Sequence, residues 1–549
     1  MEGCLTLDLT RRAAITAALA AGASARAFSQ SSSSASWETF AREYNAPDWF
    51  RDAKFGIWAH WGPQCQPEHG DWYGRQMFIQ GRQPWEKWET AYEDHVKRYG
   101  HPSKTGFINI IGKWKAENWQ PEYLLNRYRK AGAKYFMAMA NHHDNLDLFD
   151  SAHHGWNSTR VGPKKDIIGT WEKLVRQTDL KFAVSNHSGH AWHWWQTGYG
   201  YDAEGPMKGR RYEPYWVRKH HGKGTFWEGL DPQDLYTGPT YVPPAGINSA
   251  AEMNAWHDKR DSQWLEDVPP SVQPFADKWL LRQIDLVEKY KPDMVYFDDQ
   301  GIPFGQTGLD AVAHFYRKQA EWHGSNQGVI TAKRLNELQK KGIVEDVERG
   351  FVTGIQARPW QTDTCIGNWH YDRGLYDRDG YKSAKEVMQR LADVVSKNGN
   401  LMLNIPVRSD GTIDEKEEKI LDGITAWMAT NGEAIYATRP WRRFGEGPTK
   451  APTGHMAEGE AKPFVAQDVR FTSKGGTLYA IFLDWPQGEA AITSLGGNAL
   501  SGGRIQRVEL LGGGAVQFRQ DADALRLTLP QPSLGGFVPA LRINGQGLV

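Results

Sequence analysis

Between residues 37 and 436, short, mainly apolar runs alternate with stretches whose apolar residues recur every three or four positions. The runs at 55–59, 135–140, 181–185, 294–297, 329–331, 344–347 and 401–405 have the length of buried strands. The stretches between them predict amphipathic helices. Pro121 suits the first position of one, after which Leu124, Tyr128 and Ala131 share a face. In another, Leu280, Ile284 and Val287 share a face before Lys291-Pro292 ends the helix. Segments 383–396 and 414–430 predict two more. Strands alternating with helices build a parallel sheet. Over about 400 residues this favours an α/β fold of the (β/α)8 TIM-like type over an open sheet.

Two regions break the rhythm. Residues 196–273 are rich in Gly, Pro and Tyr with little periodicity. They predict a long insertion, read as a substrate-facing loop, with a peripheral embellishment as the other option. After about residue 448, strand-like runs at 477–483, 504–511, 525–529 and 540–543 are separated by Gly-rich turns. That texture predicts a C-terminal β-sandwich over 445–549, following a catalytic barrel over 31–440.

The N-terminus carries Thr10-Arg11-Arg12 ahead of an Ala-rich apolar run at 13–23. The run is too short to span a bilayer. With Ala23-Ser24-Ala25 and Ala25-Arg26-Ala27 as cleavage sites, residues 1–30 predict a secretory signal of the twin-arginine type. A Ser-rich linker follows at 29–36. The expected location is periplasmic or secreted, with no later membrane span.

Lys plus Arg (65) equals Asp plus Glu (65), so charge gives no reason to expect nucleic acid or an anionic membrane as partner. Twenty-five Trp residues is a high load, which fits a large Trp-rich core and also rings that offer apolar platforms to sugar faces. Of three Cys, Cys4 falls in the segment expected to be removed, and the pairing of Cys65 with Cys365 stays open.

In a barrel, chemistry sits where strands end and βα loops begin. The predicted strand ends supply His60; Asn141, His142 and His143; Asn186 and His187; Asp298 and Asp299; Lys333; Glu348; and Asn404. Together they describe a polar ring suited to a small polyhydroxylated ligand. Asp298 and Glu348 are the candidate carboxylates, and a retaining glycosidase needs two such groups about 5–5.5 Å apart. Adjacent His142 and His143 point to opposite faces of a strand and have no third ligand at metal spacing, so no metal or cofactor is expected.

These residues resemble a known family. Trp49-Phe50-Arg51-Asp52-Ala53-Lys54-Phe55-Gly56-Ile57-Trp58-Ala59-His60-Trp61-Gly62 is similar to the opening signature of the α-L-fucosidases of glycoside hydrolase family 29. Asp71-Trp72-Tyr73, Asn141-His142-His143-Asp144, Tyr296-Phe297-Asp298 and Asn398-Gly399-Asn400-Leu401-Met402-Leu403-Asn404 follow in the family's order. The resemblance covers about residues 37–440. It implies a barrel with a C-terminal sandwich and retaining, metal-free hydrolysis of terminal α-L-fucosyl residues from an oligosaccharide or glycoconjugate. It implies Asp298 as nucleophile, with His60, His142 and His143 on the sugar hydroxyls and Asp71, Trp72, His187 and Tyr296 in the pocket. For the acid/base, Glu348 is the first choice, Asp363 the second and Glu345 the third. The sequence departs from the family pattern at Asp71, where Glu is frequent, at Asn141, where Lys is frequent, and at Lys333-Arg334, where some members place Arg. Those departures keep a related L-sugar, such as an α-L-galactoside, as the alternative substrate, and a non-catalytic carbohydrate-binding protein as the alternative function.

Overall fold

The computed structural model describes residues 35–81, 89–262, 270–532 and 536–549. The expected signal and nearly all of the Ser-rich linker lie outside these residues. Eight parallel strands close into a barrel: β1 Phe55–Ala59, β2 Tyr135–Asn141, β3 Lys181–Asn186, β4 Met294–Gln300, β5 Val329–Lys333, β6 Val344–Asp346, β7 Trp360–Cys365 and β8 Gly399–Asn404. β8 pairs back onto β1, with Gly56 opposite Met402.

Seven of these strands coincide with the apolar runs. β7, Trp-Gln-Thr-Asp-Thr-Cys, does not, because its polar residues face polar partners inside the protein. Tyr135 donates to Gln361 Oε1 at 3.0 Å, Gln361 donates to Asp346 Oδ2 at 2.5 Å, and Thr362 donates to the Val347 carbonyl at 2.7 Å. All six residues of β7 are nevertheless buried.

The helices follow the expected faces and caps. Pro121–Lys130 buries Leu124, Leu125 and Tyr128. Ala384–Ser396 and Glu415–Asn431 each open with a reciprocal capping box, Ser383 with Glu386 and Asp414 with Glu417. The eighteen-residue helix Gln273–Tyr290 ends with Lys291 in the left-handed region (φ 45°), ahead of Pro292.

The described part of the insertion departs from the substrate-facing loop expected of it. It folds into short helices, including Glu213–Trp216, Pro232–Leu235 and Ala250–Asp258, and none of its described residues lines the catalytic-end cavity. It buttresses the loop after β1 from behind. Arg75 pairs with Asp261, Tyr92 donates to Asp202 at 2.8 Å, and Tyr236 donates to Glu213 at 2.7 Å beneath Gly106.

The C-terminal region holds a six-stranded antiparallel sheet in the order β14-β13-β17-β11-β10-β9 and a three-stranded sheet in the order β12-β16-β15. Its strands are β9 Arg439–Glu446, β10 Val469–Lys474, β11 Thr477–Phe482, β12 Glu489–Ile492, β13 Arg504–Leu510, β14 Gly514–Ala515, β15 Phe518–Gln520, β16 Leu525–Thr528 and β17 Ala540–Gln546. β9 starts at Arg439, so the sheet begins as the last barrel helix ends. β11 shows how one strand serves two cores. Leu478, Ala480 and Phe482 pack inside the sandwich, while Tyr479 and Ile481 join the barrel's core. Arg470 on β10 reaches Asp393 of the barrel at 2.7 Å. Cys65 and Cys365 are both buried and unbonded. Among the described residues no helix is long and apolar enough to cross a membrane.

Candidate active site

The strand ends open onto a cavity of about 1090 Å³ lined by Trp58, His60, His142, His187, Tyr296, Asp298, Lys333 and Glu348. Asp298 sits within β4, beyond the buried run Met294 to Phe297. Its Oδ2 lies 3.2 Å from His143 Nε2 and 4.0 Å from His187 Nε2. Its Oδ1 accepts from the Tyr296 hydroxyl at 3.1 Å and pairs with the Lys333 ammonium. Burial alone would push this carboxyl up. The Lys333 ammonium and the two imidazoles outweigh it and hold Asp298 well below the usual carboxylate range. Asp298 is therefore ionised and aimed into the cavity.

Lys333, at the end of β5, also reaches Glu348 Oε2 at 2.5 Å. One ammonium touching two carboxylates places their nearest oxygens at most about 5.5 Å apart, two charge-assisted hydrogen-bond lengths. That bound is compatible with the separation of about 5–5.5 Å that a retaining pair requires. The two other acid/base candidates are placed differently. Glu345 turns to Lys340 at 3.0 Å and does not line the cavity. Asp363 also borders the cavity but is itself fully buried, and the Tyr296 hydroxyl lies 3.0 Å from its Oδ2.

Tyr296 has one hydroxyl hydrogen and two carboxylate neighbours, Asp298 and Asp363. Burial and the neighbouring Asp346 push the Asp363 carboxyl well up, and burial pushes Asp346 up to about 7. A protonated Asp363 donates to the Tyr296 oxygen and leaves the tyrosine hydrogen for Asp298. The polar barrel interior thus directs one further hydrogen bond at the ionised carboxylate.

The histidines form a wall. Gln64 Nε2 donates to His142 Nδ1 at 2.5 Å, which leaves Nε2 of His142 as the hydrogen-bearing nitrogen. His187 Nδ1 donates to the Asn141 carbonyl at 3.1 Å, and its ring stacks 5.7 Å from Trp58. Both ring nitrogens of His60 are buried without a hydrogen-bond partner. Burial drives His60 and His142 far down and His187 down to about 3, so all three are neutral near pH 7. One ring nitrogen from each of the three lies within 4.8 Å of the others, a set able to hold a metal ion as well as to meet hydroxyls. The metal reading weighed from sequence, a His142–His143 pair, has a different geometry: His143 Nε2 faces Asp298.

Asp71 and Trp72 line the same cavity. The Asp71 carboxylate accepts from the backbone N–H of His370 at 2.7 Å and of Trp369 at 3.3 Å, so it anchors the loop after β7. The Trp72 ring meets His143 edge-on at 5.8 Å.

With this geometry in view, comparison with known proteins is decisive. Residues 20–433 match the family model described as "Alpha-L-fucosidase", and residues 462–543 match "Alpha-L-fucosidase C-terminal domain". The chain belongs to the alpha-L-fucosidase family.

It is thereby a glycoside hydrolase. It is 23% identical over 506 residues to the tissue alpha-L-fucosidase of Rattus norvegicus, covering 89% of this chain and 87% of the relative. It is 25% identical over 456 residues to an alpha-L-fucosidase of Branchiostoma floridae, covering 80% and 79%. A solved Thermotoga maritima alpha-fucosidase in complex with a mechanism-based inhibitor superposes with a TM-score of 0.65 at 25% identity, covering 93% of this chain and 99% of that one.

Among the cavity residues that escaped the sequence reading are Asn368, Trp369 and His370. All three follow β7, the strand that lacks an apolar run, so losing the strand also lost its loop. Their signal was the phrase Asn-Trp-His-Tyr itself, aromatic and polar residues together after a Gly.

Proposed function

We propose that this family member is an exported, retaining exo-α-L-fucosidase in which Asp298 is the nucleophile and Glu348 the acid/base. The observation that carries the reading is the Asp298–Lys333–Glu348 bridge at the floor of a histidine-walled cavity. Asp298 attacks the anomeric carbon as the bond to the leaving oxygen breaks, and Glu348 delivers a proton to that oxygen. Lys333 contacts Glu348 through Oε2, so Oε1 is the atom free to carry the proton. Water then displaces the glycosyl ester, with Glu348 taking its proton. His60, His142, His143 and His187 meet the sugar hydroxyls, Trp72 and Tyr296 line the ring's pocket, and Asp71 holds the Trp369 loop against it. The unpartnered His60 nitrogens support this, because buried polar atoms without partners mark where a ligand's polar groups belong. Export rests on the Arg11-Arg12 leader, and N-terminal sequencing of periplasmic protein tests it.

The functional test is turnover of 4-nitrophenyl α-L-fucoside, with the anomer of the first-formed product read by NMR. The expected result is release of the α-anomer by wild type and a loss of at least about 10³-fold in Asp298→Ala. First formation of the β-anomer would overturn the retaining mechanism.

A further inference from the structure

The long β9–β10 loop, residues 447–468, leaves the sandwich and returns to it, yet its middle lies at the barrel mouth. Asp468 closes its base, accepting from the N–H groups of Thr449 at 3.0 Å and Val465 at 2.8 Å. The tip is clamped to the segment that carries Glu348. Phe351 and Gly454 exchange backbone hydrogen bonds at 3.2 and 2.9 Å, and Met456 N–H donates to the Glu348 carbonyl at 2.8 Å. Glu348 N–H in turn donates to His455 Nδ1 at 3.2 Å. Glu458 N–H donates to the Arg349 carbonyl at 2.9 Å, and its carboxylate takes Thr364 at 2.9 Å and Lys382 at 3.1 Å. Glu348 is thus gripped on both backbone sides by a loop from outside the barrel.

At the centre of that grip stands Met456. It is held in the left-handed region at φ 58°, which side chains other than Asn and Asp rarely adopt. Its side chain lines the catalytic cavity and is 55% exposed, one of the most exposed large apolar residues described. An acid that protonates a leaving oxygen has the leaving group beside it. A backbone hydrogen bond makes Met456 a neighbour of Glu348, the residue proposed to face the leaving oxygen. The cavity's about 1090 Å³ is several times what one sugar ring fills, which leaves room there for a second ring. A flexible, polarizable thioether suits a flat apolar face of varied shape.

Resting on the fucosidase reading, we infer that Met456 forms a wall of the leaving-group subsite and receives the apolar face of the leaving group, an aryl ring or the C–H face of a sugar. The sandwich therefore contributes to substrate choice as well as to support.

The test compares kcat/KM for 4-nitrophenyl α-L-fucoside and α-L-fucosyl fluoride, whose leaving group is too small to reach Met456. Met456→Asn keeps a residue that tolerates the left-handed region and removes the apolar surface. The aryl-to-fluoride ratio of kcat/KM should fall about fivefold to tenfold, the scale of one lost apolar contact in a pocket. Val465→Asn, on the same loop but outside the cavity, should hold the wild-type ratio. An unchanged ratio in Met456→Asn overturns the inference, and so does an equal fall on both substrates, which would mark a purely structural loop. Failure of wild type on the fluoride would instead overturn the fucosidase reading, and the subsite with it.

Discussion

The barrel's catalytic end and the sandwich's interior are both buried, but they are built from opposite materials. Around Asp298 the buried groups are His60, His142, His143, His187, Asp346, Asp363 and Tyr296, several of them with polar atoms that find no partner. Inside the sandwich they are Trp441, Phe471, Leu478, Phe482, Ile492, Leu527, Leu541 and Ile543. Among the described sandwich residues the buried charges are Asp468 and Arg470, which close the mouth-reaching loop and tie the sheet to the barrel. Polar groups withheld from water cost stability, whereas apolar side chains withheld from water supply it. The first region is arranged for chemistry, and the second carries stability.

The largest test of this contrast sets two substitutions side by side. Phe471→Ala should lower unfolding stability by about 3–5 kcal/mol while leaving kcat of the folded fraction at the wild-type value. Asp298→Ala should do the reverse, abolishing turnover with a midpoint of thermal unfolding at or above wild type. Calorimetry and active-site titration on both variants check this, and an Asp298→Ala variant less stable than Phe471→Ala would break the contrast.

A smaller effect is expected at the seam. Asp393 lies between Arg470 at 2.7 Å and Lys397 at 2.9 Å. Burial would raise its carboxyl, but the two cations bring it down to about 2. The ordinary value is about 3.9, so the folded state holds this carboxylate against protonation. The resulting stability is fully present above pH 4 and is lost as pH falls through 2, an amount of about 2–3 kcal/mol. Denaturant titrations at pH 4 and pH 2 should show that slope in wild type and lack it in Asp393→Asn. An identical slope in the variant would assign the acid sensitivity elsewhere.

The smallest effect concerns the ammonium at the mouth. Lys333→Met removes the cation that, with the imidazoles, holds Asp298 down, so the carboxyl rises and protonates at higher pH. The acidic limb of kcat/KM should move to higher pH. A limb that stays in place would mean that the imidazoles alone keep Asp298 ionised.

Much of this molecule was legible before the structure. Apolar runs marked seven barrel strands because a parallel strand is covered on both faces and so is written in apolar residues. The polar residues after those runs, His60, His142, His143, His187, Asp298, Lys333 and Glu348, do line or border one cavity, as strand ends in a barrel converge on one rim. β7 was hidden because Gln361, Thr362 and Asp363 are buried by hydrogen bonding to β2, β4 and the residues after β6, and no periodicity records a partner so distant in sequence. The insertion misled for a related reason. Its Gly, Pro and Tyr content marks irregular backbone, but says nothing of which surface that backbone covers.

By itself, then, the sequence determined the alternation of strands and helices, the family, and the residue types offered at each strand end, since all three depend on local order along the chain. Only the tertiary structure decided that Lys333 bridges Asp298 to Glu348, that Glu345 turns away to Lys340, and that Met456 crosses from the sandwich to the mouth. Each of these depends on distances between elements far apart in sequence, and closure of the barrel and docking of the sheet set those distances.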